Sequence, residues 1–256
     1  MVAKLLVFDL DDTLLTTEKT ITVSTTEAIK ACKEKGMIIG YITARARPFK
    51  GEAFFVDNLP CDFIAYYNGA EIYAGDVSIE SNVIPNKQAI NIMNALNEKY
   101  PNTKIAVYME PWSWSPRSGE AWNMITGEKI KCSILELPCC DVQRIRVVFD
   151  DNDKISLSHF MTTETTFFIT ADGTAIIINK NAVKERALTK ITEWFNIPLS
   201  DVIAFGDDIN DIEMLKIAGK GVVMGNANDT VKSVADYLTE TNDKEGISIW
   251  INKYLL

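Results

Sequence analysis

Four short segments carry the side chains best suited to chemistry: Asp9-Leu10-Asp11-Asp12-Thr13-Leu14, Ile42-Thr43-Ala44-Arg45, Lys184 opening a helical stretch, and Gly206-Asp207-Asp208-Ile209-Asn210-Asp211. Asp9, Asp11 and Asp207, brought together, would be three carboxylates that repel unless a cation lies among them. Oxygen-only ligands favour a hard ion, and Mg2+ is commonly held by one or two carboxylates with substrate phosphate and water. Thr43 adds a hydroxyl, Lys184 a positive charge and Asn210 an amide. That inventory can hold a phosphoryl group and offset the charge on its equatorial oxygens. A carboxylate can also attack phosphorus to give an aspartyl-phosphate. Singly, each residue has a plainer reading. Asp9 and Asp12 fit turns or caps, Thr43 a strand-end hydroxyl, Lys184 a solvated helix position, and Asp208 and Asp211 first-turn acids facing a helix dipole. The conjunction of four segments, in order and each at a strand end or helix start, argues for one site.

The elements that must position them follow from the apolar pattern. Residues 4–10 (KLLVFDL), 37–42 and 63–67 are short apolar runs suited to buried parallel strands, the last closing on Asn68-Gly69. Ser24 with Glu27 three residues later is a capping-box pattern for a helix whose apolar face includes Ala28, Ile29 and Cys32, ending near Gly36. The alternation returns as a helix over 183–195, a strand at 202–205, a helix over 209–218, a strand at 222–224 and an amphipathic end. This predicts an α/β fold with a Rossmann-like, doubly wound parallel sheet. Ligands bind such sheets outside the carboxyl ends of the strands, where the four segments would meet. The middle differs: strands at 104–109, 144–149, 166–170 and 175–179 are rich in β-branched and aromatic residues, and Asp172-Gly173 between the last two signals a hairpin. The expected division is a core from 1–79 and 180–256, with an inserted α+β domain over 80–179.

The composition narrows the function. Of 256 residues 47% are hydrophobic and 24% charged, with a net charge of -9. That balance argues against nucleic acid, whose phosphates need a basic face, but not against a phosphorylated substrate beside a bound cation. No apolar run approaches the length of a membrane span, and Asp9, Asp11 and Asp12 interrupt the apolar start before a signal core could form. A cytoplasmic protein is expected. The five cysteines include no C-x-x-C pair, and His159 is the only histidine. Zinc sites, disulfide frameworks and histidine-based triads are therefore disfavoured.

Asp9-Leu10-Asp11-Asp12-Thr13-Leu14, Thr43, Lys184 and Gly206-Asp207-Asp208-Ile209-Asn210-Asp211 resemble the four motifs of haloacid dehalogenase-type phosphatases. The long insertion, Tyr67-Asn68-Gly69-Ala70 and Val223-Met224-Gly225-Asn226-Ala227 are similar to segments of the Cof-type subgroup with its C2-type cap (subfamily IIB). The resemblance implies Asp9 as nucleophile and metal ligand. It implies Asp11 as acid and then base, with its carbonyl on magnesium, and Asp207 as a further metal ligand. Thr43, Ala44, Lys184 and Asn210 would bind phosphate, with Asp211, Thr13, Arg45 and Asn68 in support. Asp12 and Ala44 stand where glycine is common, and the residues around Lys184 lack the family's glycines, so Lys180 is an alternative to Lys184.

The cap of such proteins selects the substrate. Trp112, Trp114 and Arg117 could stack on and bond to a sugar or heteroaromatic ring, although packing in the cap's own core or a protein contact is the favoured reading of the two tryptophans. The activity implied is Mg2+-dependent hydrolysis of small phosphorylated metabolites, sugar phosphates favoured, by a monomer or weak homodimer without nucleic-acid or membrane partners. Alternatives are a hexose phosphomutase with the same core and cap, or a phospho-aspartate signalling or binding protein.

Overall fold

The structure is a computed structural model that describes residues 3–48, 54–109, 112–115, 120–123, 129–131, 141–149, 156–170 and 173–256. In chain order, β1 (Leu5–Phe8) leads through a tight irregular loop to α1 (Val23–Glu34), β2 (Ile38–Ile42), β3 (Phe63–Tyr66), β4 (Glu71–Ala74) and β5 (Val77–Ser81). Next come α2 (Asn86–Lys99), β6 (Lys104–Met109), β7 (Trp112–Ser115), β8 (Glu120–Asn123), β9 (Lys129–Lys131), β10 (Arg144–Val148), β11 (Thr165–Ile169) and β12 (Ala175–Asn179). The chain ends with α3 (Lys184–Phe195), β13 (Val202–Gly206), α4 (Ile212–Ile217), β14 (Lys220–Val223), α5 (Asp229–Lys232), β15 (Tyr237–Leu238) and α6 (Gly246–Tyr254). The described residues form two compact units, one from within Met1–Pro48, Ala53–Ser81 and Val183–Leu256, the other chiefly from within Asn82–Ala182.

The first unit is built on one sheet in the order β15-β14-β13-β1-β2-β3-β4-β5. Pairing is parallel from β15 through β3, and β4 and β5 add an antiparallel edge. β1 lies at its centre and is buried throughout, as a strand covered on both faces must be. Its alternate residues divide between two layers. Leu5 and Val7 join Ala187, Leu188 and Ile191 of α3 and Met214 and Leu215 of α4 in one apolar cluster. Phe8 on the other face stacks on Phe205 with ring centroids 4.9 Å apart, and Phe205 meets Trp250 of α6 edge-on at 5.4 Å. Burying each such ring stabilises the fold by about 1.5–3 kcal/mol. This is the expected α/β, doubly wound architecture.

Two local expectations change. α1 starts at Val23 rather than after Ser24, because the Thr22 hydroxyl accepts from the Thr25 backbone N–H and caps the first turn. The helix expected over 209–218 is a single turn at Ile209–Asp211 followed by the short α4, since Asp208 and Asp211 form a capping box at that turn.

The second unit holds an antiparallel sheet in the order β11-β12-β10-β6-β7-β8-β9. Ile105 and Val107 of β6, Ile145 and Val147 of β10 and Ile177 of β12 face Ala89, Ile92, Met93 and Leu96 of α2. β11 and β12 pair as the expected hairpin. Gly173 has φ +78° there, and the Thr170 N–H donates to the Thr174 carbonyl at 2.8 Å. Asp172 lies outside the described residues. Trp112 and Trp114 lie on β7, which pairs with β6 and β8, while Arg117 lies outside the described residues. No described helix is long and apolar enough to cross a membrane.

Candidate active site

β13, β1 and β2 are neighbours running in parallel, so the residues after their carboxyl ends share one edge of the sheet. Those residues are Asp207, Asp9 and Thr43. The Asp9 N–H extends the ladder by donating to the Phe205 carbonyl at 3.0 Å, and the Thr43 N–H donates to the Ala65 carbonyl at 2.9 Å. α3 brings Lys184 to the same edge. Its ammonium donates to Asp9 Oδ1 at 2.6 Å and Asp211 Oδ1 at 2.7 Å, and the residue is 2% exposed. A lysine at a helix N-terminus opposes the helix dipole, so these two carboxylates are what hold it there. Lys180 instead bonds the Thr163 carbonyl at 2.6 Å in the second unit. The structure therefore brings Lys184, and not Lys180, to Asp9.

Asp9, Asp207 and Asp211 each offer a carboxylate oxygen within 4.8 Å of the others. The third carboxylate of the cluster is thus Asp211, where the sequence suggested Asp11. The Asp11 side chain is bound instead by Arg45, whose Nε donates to Oδ2 at 2.7 Å and whose second amino group donates to Oδ1, and by Lys19 at 3.1 Å. Asp211 is wholly buried, with Oδ1 on Lys184 and Oδ2 accepting from the backbone N–H groups of Asp207 and Asp208 at 3.1 Å each. Gly206 makes room for it: a Cβ there would lie 2.7 Å from Asp211 Cβ and Cγ. Thr13, also buried, donates its hydroxyl to Asp207 Oδ1 at 2.6 Å and joins the first acidic loop to the last.

Charge and burial oppose each other in this cluster. Burial raises the Asp9 carboxyl well above its ordinary range; Lys184 lowers it and Asp211 raises it. Burial also pushes Asp207 up to about 7, against the Thr13 hydrogen bond. Burial pulls Lys184 down, but Asp211 and Asp9 outweigh it and the ammonium is held above its usual range. Asp11 shows the reverse balance: burial raises it, but the hydrogen bonds from Arg45 and Lys19 prevail and hold it below the usual range. One lysine among three close carboxylates leaves the centre short of positive charge.

Residues 6–251 match the family pattern of the haloacid dehalogenase-like hydrolases. The chain belongs to that family. It is 29% identical to the 5-amino-6-(5-phospho-D-ribitylamino)uracil phosphatase YcsE of Bacillus subtilis (strain 168), over 99% of this chain and 96% of that one. It is 27% identical to the pyridoxal phosphate phosphatase YbhA of Escherichia coli (strain K12), over the whole of both. Among solved structures, the HAD subclass IIB sugar phosphatase BT4131 superposes with a TM-score of 0.78 at 25% identity, covering 98% of this chain and 99% of that one. The protein is accordingly a phosphatase of the Cof-type subgroup.

The remaining residues of this phosphatase's site lie around the same edge. Thr43 is buried; its hydroxyl accepts from the Arg45 N–H at 3.0 Å and its carbonyl accepts from the Asn68 N–H at 2.8 Å. Asn68 has φ +60° and takes the Asn210 amide on Oδ1 at 3.3 Å. Ala44 lies half-buried between Thr43 and Arg45. The Arg45 guanidinium also stacks 4.2 Å over Phe55. Sequence reasoning passed over Lys19 and Asn242, and it used Asn226 only as part of a motif. The signal for Asn226 was present in Gly225-Asn226 directly after a buried strand, a place where a polar side chain sits at the site edge. Lys19, on the loop after β1, binds Asp11 and Asp12, and Asn242 bonds the Leu15 carbonyl and Asn226; neither gave such a signal.

Proposed function

We propose that this phosphatase is a Mg2+-dependent phosphomonoesterase for small phosphorylated metabolites, with sugar phosphates favoured, and that Asp9 is its nucleophile. The observation that carries the reading is the buried Asp9 carboxylate held by Lys184 beside Asp207 and Asp211 at the carboxyl edge of a parallel sheet. The family implies a metal ion, and the donor set fits one: all ligands are oxygen, and three carboxylates face one lysine. Asp9, Asp207 and the Asp11 backbone carbonyl would hold it, with Asp211, wholly buried and bonded to Lys184 and two backbone N–H groups, in support. When bound, it would supply positive charge against the phosphoryl oxygens.

The chain's own groups account for the rest. An Asp9 oxygen attacks phosphorus as the bond to the leaving oxygen breaks. Asp11, which the Arg45 fork holds ionised in the substrate-free chain, gives that oxygen a proton once substrate has drawn its carboxyl from the fork and it has been protonated. Water then attacks the aspartyl-phosphate, with Asp11 taking the proton, so that inorganic phosphate leaves and Asp9 is restored. Lys184 orients the Asp9 carboxylate and favours its charged form against burial. Thr43 and Ala44, with Asn210 braced by Asn68, bind the phosphoryl oxygens. Arg45 fixes the Asp11 carboxylate through its two-bond fork. Substrate choice we assign to the second unit, with Trp112, Trp114 and Arg117 as candidates. The sugar-phosphate preference is supported by the likeness to BT4131, while YcsE and YbhA widen the panel to phosphorylated heteroaromatic compounds.

The test is phosphate release from sugar phosphates, nucleotides, pyridoxal phosphate and an aryl phosphate, with magnesium and with chelator. Release should require magnesium, and Asp9→Asn should lower it at least ~10³-fold while the fold is kept. Substantial turnover by Asp9→Asn would remove Asp9 from its role. An isomerised sugar phosphate without free phosphate would replace hydrolysis by mutase chemistry.

A further inference from the structure

Asn226 follows β14 and takes no part in the chemistry above, yet it touches both acidic loops. Its amide nitrogen donates to the Asp12 carbonyl at 2.8 Å and reaches Asp207 Oδ2 at 3.4 Å. Its amide oxygen accepts from the Asn242 N–H at 3.1 Å, which fixes which end of the amide faces the acidic loops. Asn242 is 9% exposed and sends its own amide to the Leu15 carbonyl at 3.0 Å. Close approach of the two segments needs Gly225, where a Cβ would meet Glu240, Thr239 and Thr241 backbone atoms at 3.0 Å.

What Asn226 holds is a strained piece of backbone. Asp12 has φ +57°, a left-handed conformation that most side chains avoid. The turn at Asp12 sets the direction of the peptide that carries the Asp11 carbonyl. One amide group thus bridges the turn that aims that carbonyl and the carboxylate of Asp207. We infer that Asn226 is a positioning residue for cation binding, setting the Asp11 carbonyl and the Asp207 carboxylate at the spacing the ion requires. The inference rests on the metal site proposed above.

The experiment measures magnesium binding by calorimetry on the full chain without substrate, alongside the melting temperature in chelator. The variants are Asn226→Ala, Asp207→Ala and Asp243→Ala. Asp243 straps the same loop at a different point, accepting from the Thr17 N–H at 2.8 Å and hydroxyl at 2.7 Å without reaching Asp207. Asn226→Ala should weaken magnesium binding about tenfold, the worth of one hydrogen bond to a charged group, with the melting temperature in chelator lowered by no more than ~4 °C because the lost bonds are largely exposed. Asp243→Ala should leave magnesium affinity within about twofold of the unmodified protein. Unchanged affinity in Asn226→Ala, or an equal loss in Asp243→Ala, would overturn the inference and leave only general loop support. Magnesium binding that survives Asp207→Ala would instead overturn the metal site, and the role of Asn226 with it.

Discussion

Replacing Lys184 by methionine keeps an unbranched apolar stem and removes one positive charge from among Asp9, Asp207 and Asp211. The side chains of Lys184, Asp9 and Asp211 are 1%, 7% and 0% exposed, so solvent does little to screen the loss. Breaking a buried ion pair from one side costs about 3–5 kcal/mol, whereas an exposed pair is worth about 0–1 kcal/mol. Two features hold the cost near the lower end. Asp211 keeps its two backbone donors at 3.1 Å, and Asp9, already raised by burial, can relieve its charge by taking a proton. The expected loss is about 3 kcal/mol, or a fall of ~6–12 °C in melting temperature for a chain of this size. Urea unfolding in chelator, followed by tryptophan fluorescence, measures it. Phosphate release should fall by at least ~10²-fold, because a charge facing the reacting group is lost. Lys180→Met is the paired control: Lys180 is exposed and its ammonium bonds the Thr163 carbonyl, so its cost should stay within ~0.5 kcal/mol. A Lys184→Met loss below ~1 kcal/mol, or an equal loss in Lys180→Met, would refute the reasoning.

Gly206→Ala would drive a methyl into Asp211, 2.7 Å from its Cβ and Cγ. It should cost about 1–3 kcal/mol in urea unfolding and raise the magnesium needed for half-maximal activity, since Asp211 would have to leave Lys184 or its backbone donors. Arg45→Lys removes the fork on Asp11 and the stacking on Phe55. Steady-state kinetics should show kcat reduced about 10²-fold, the scale of a misplaced catalytic group, with stability changed by no more than ~1 kcal/mol because the pair is part-exposed. An unchanged kcat would mean that something other than Arg45 places Asp11.

The architecture of the first unit was legible because its strands are buried on both faces and so read as unbroken apolar runs, as in Leu5-Leu6-Val7-Phe8. The residues after them were legible for the same reason: a charged residue directly following such a run must lie at the sheet's edge. What could not be read was which carboxylate faces which cation. Asp11 and Asp211 have the same side chain, and their partners, Arg45 and Lys19 for one, Lys184 for the other, are 34, 8 and 27 positions away. The cap of α1 lies two residues before Ser24: Thr22 and Ser24 both qualify as caps, and only the bond to the Thr25 N–H decides between them. The helix after Asp207 starts later than its apolar spacing suggests, because that spacing continues through Ile209, which the structure leaves 63% exposed on a capped turn.

The places where glycine is expected and absent follow from the same geometry. Asp12 takes the left-handed conformation that glycine would adopt freely, and its strain is met locally: Lys19 binds its carboxylate at 3.1 Å and Asn226 its carbonyl at 2.8 Å. Aspartate is among the few residues that tolerate this region. Around Lys184 the room for close packing comes from the facing loop. Gly69 has φ +104°, and a Cβ there would lie 2.8 Å from Ala187 Cβ and 3.2 Å from the Val183 carbonyl. The start of α3 therefore lies against a glycine, although it contains none itself. That contact seats the first turn of α3, and with it Lys184, against the sheet edge where its ammonium meets Asp9 and Asp211. At Asp12 and at the start of α3, the work of the missing glycine is thus done by other residues, and neither departure touches a group assigned to the reaction.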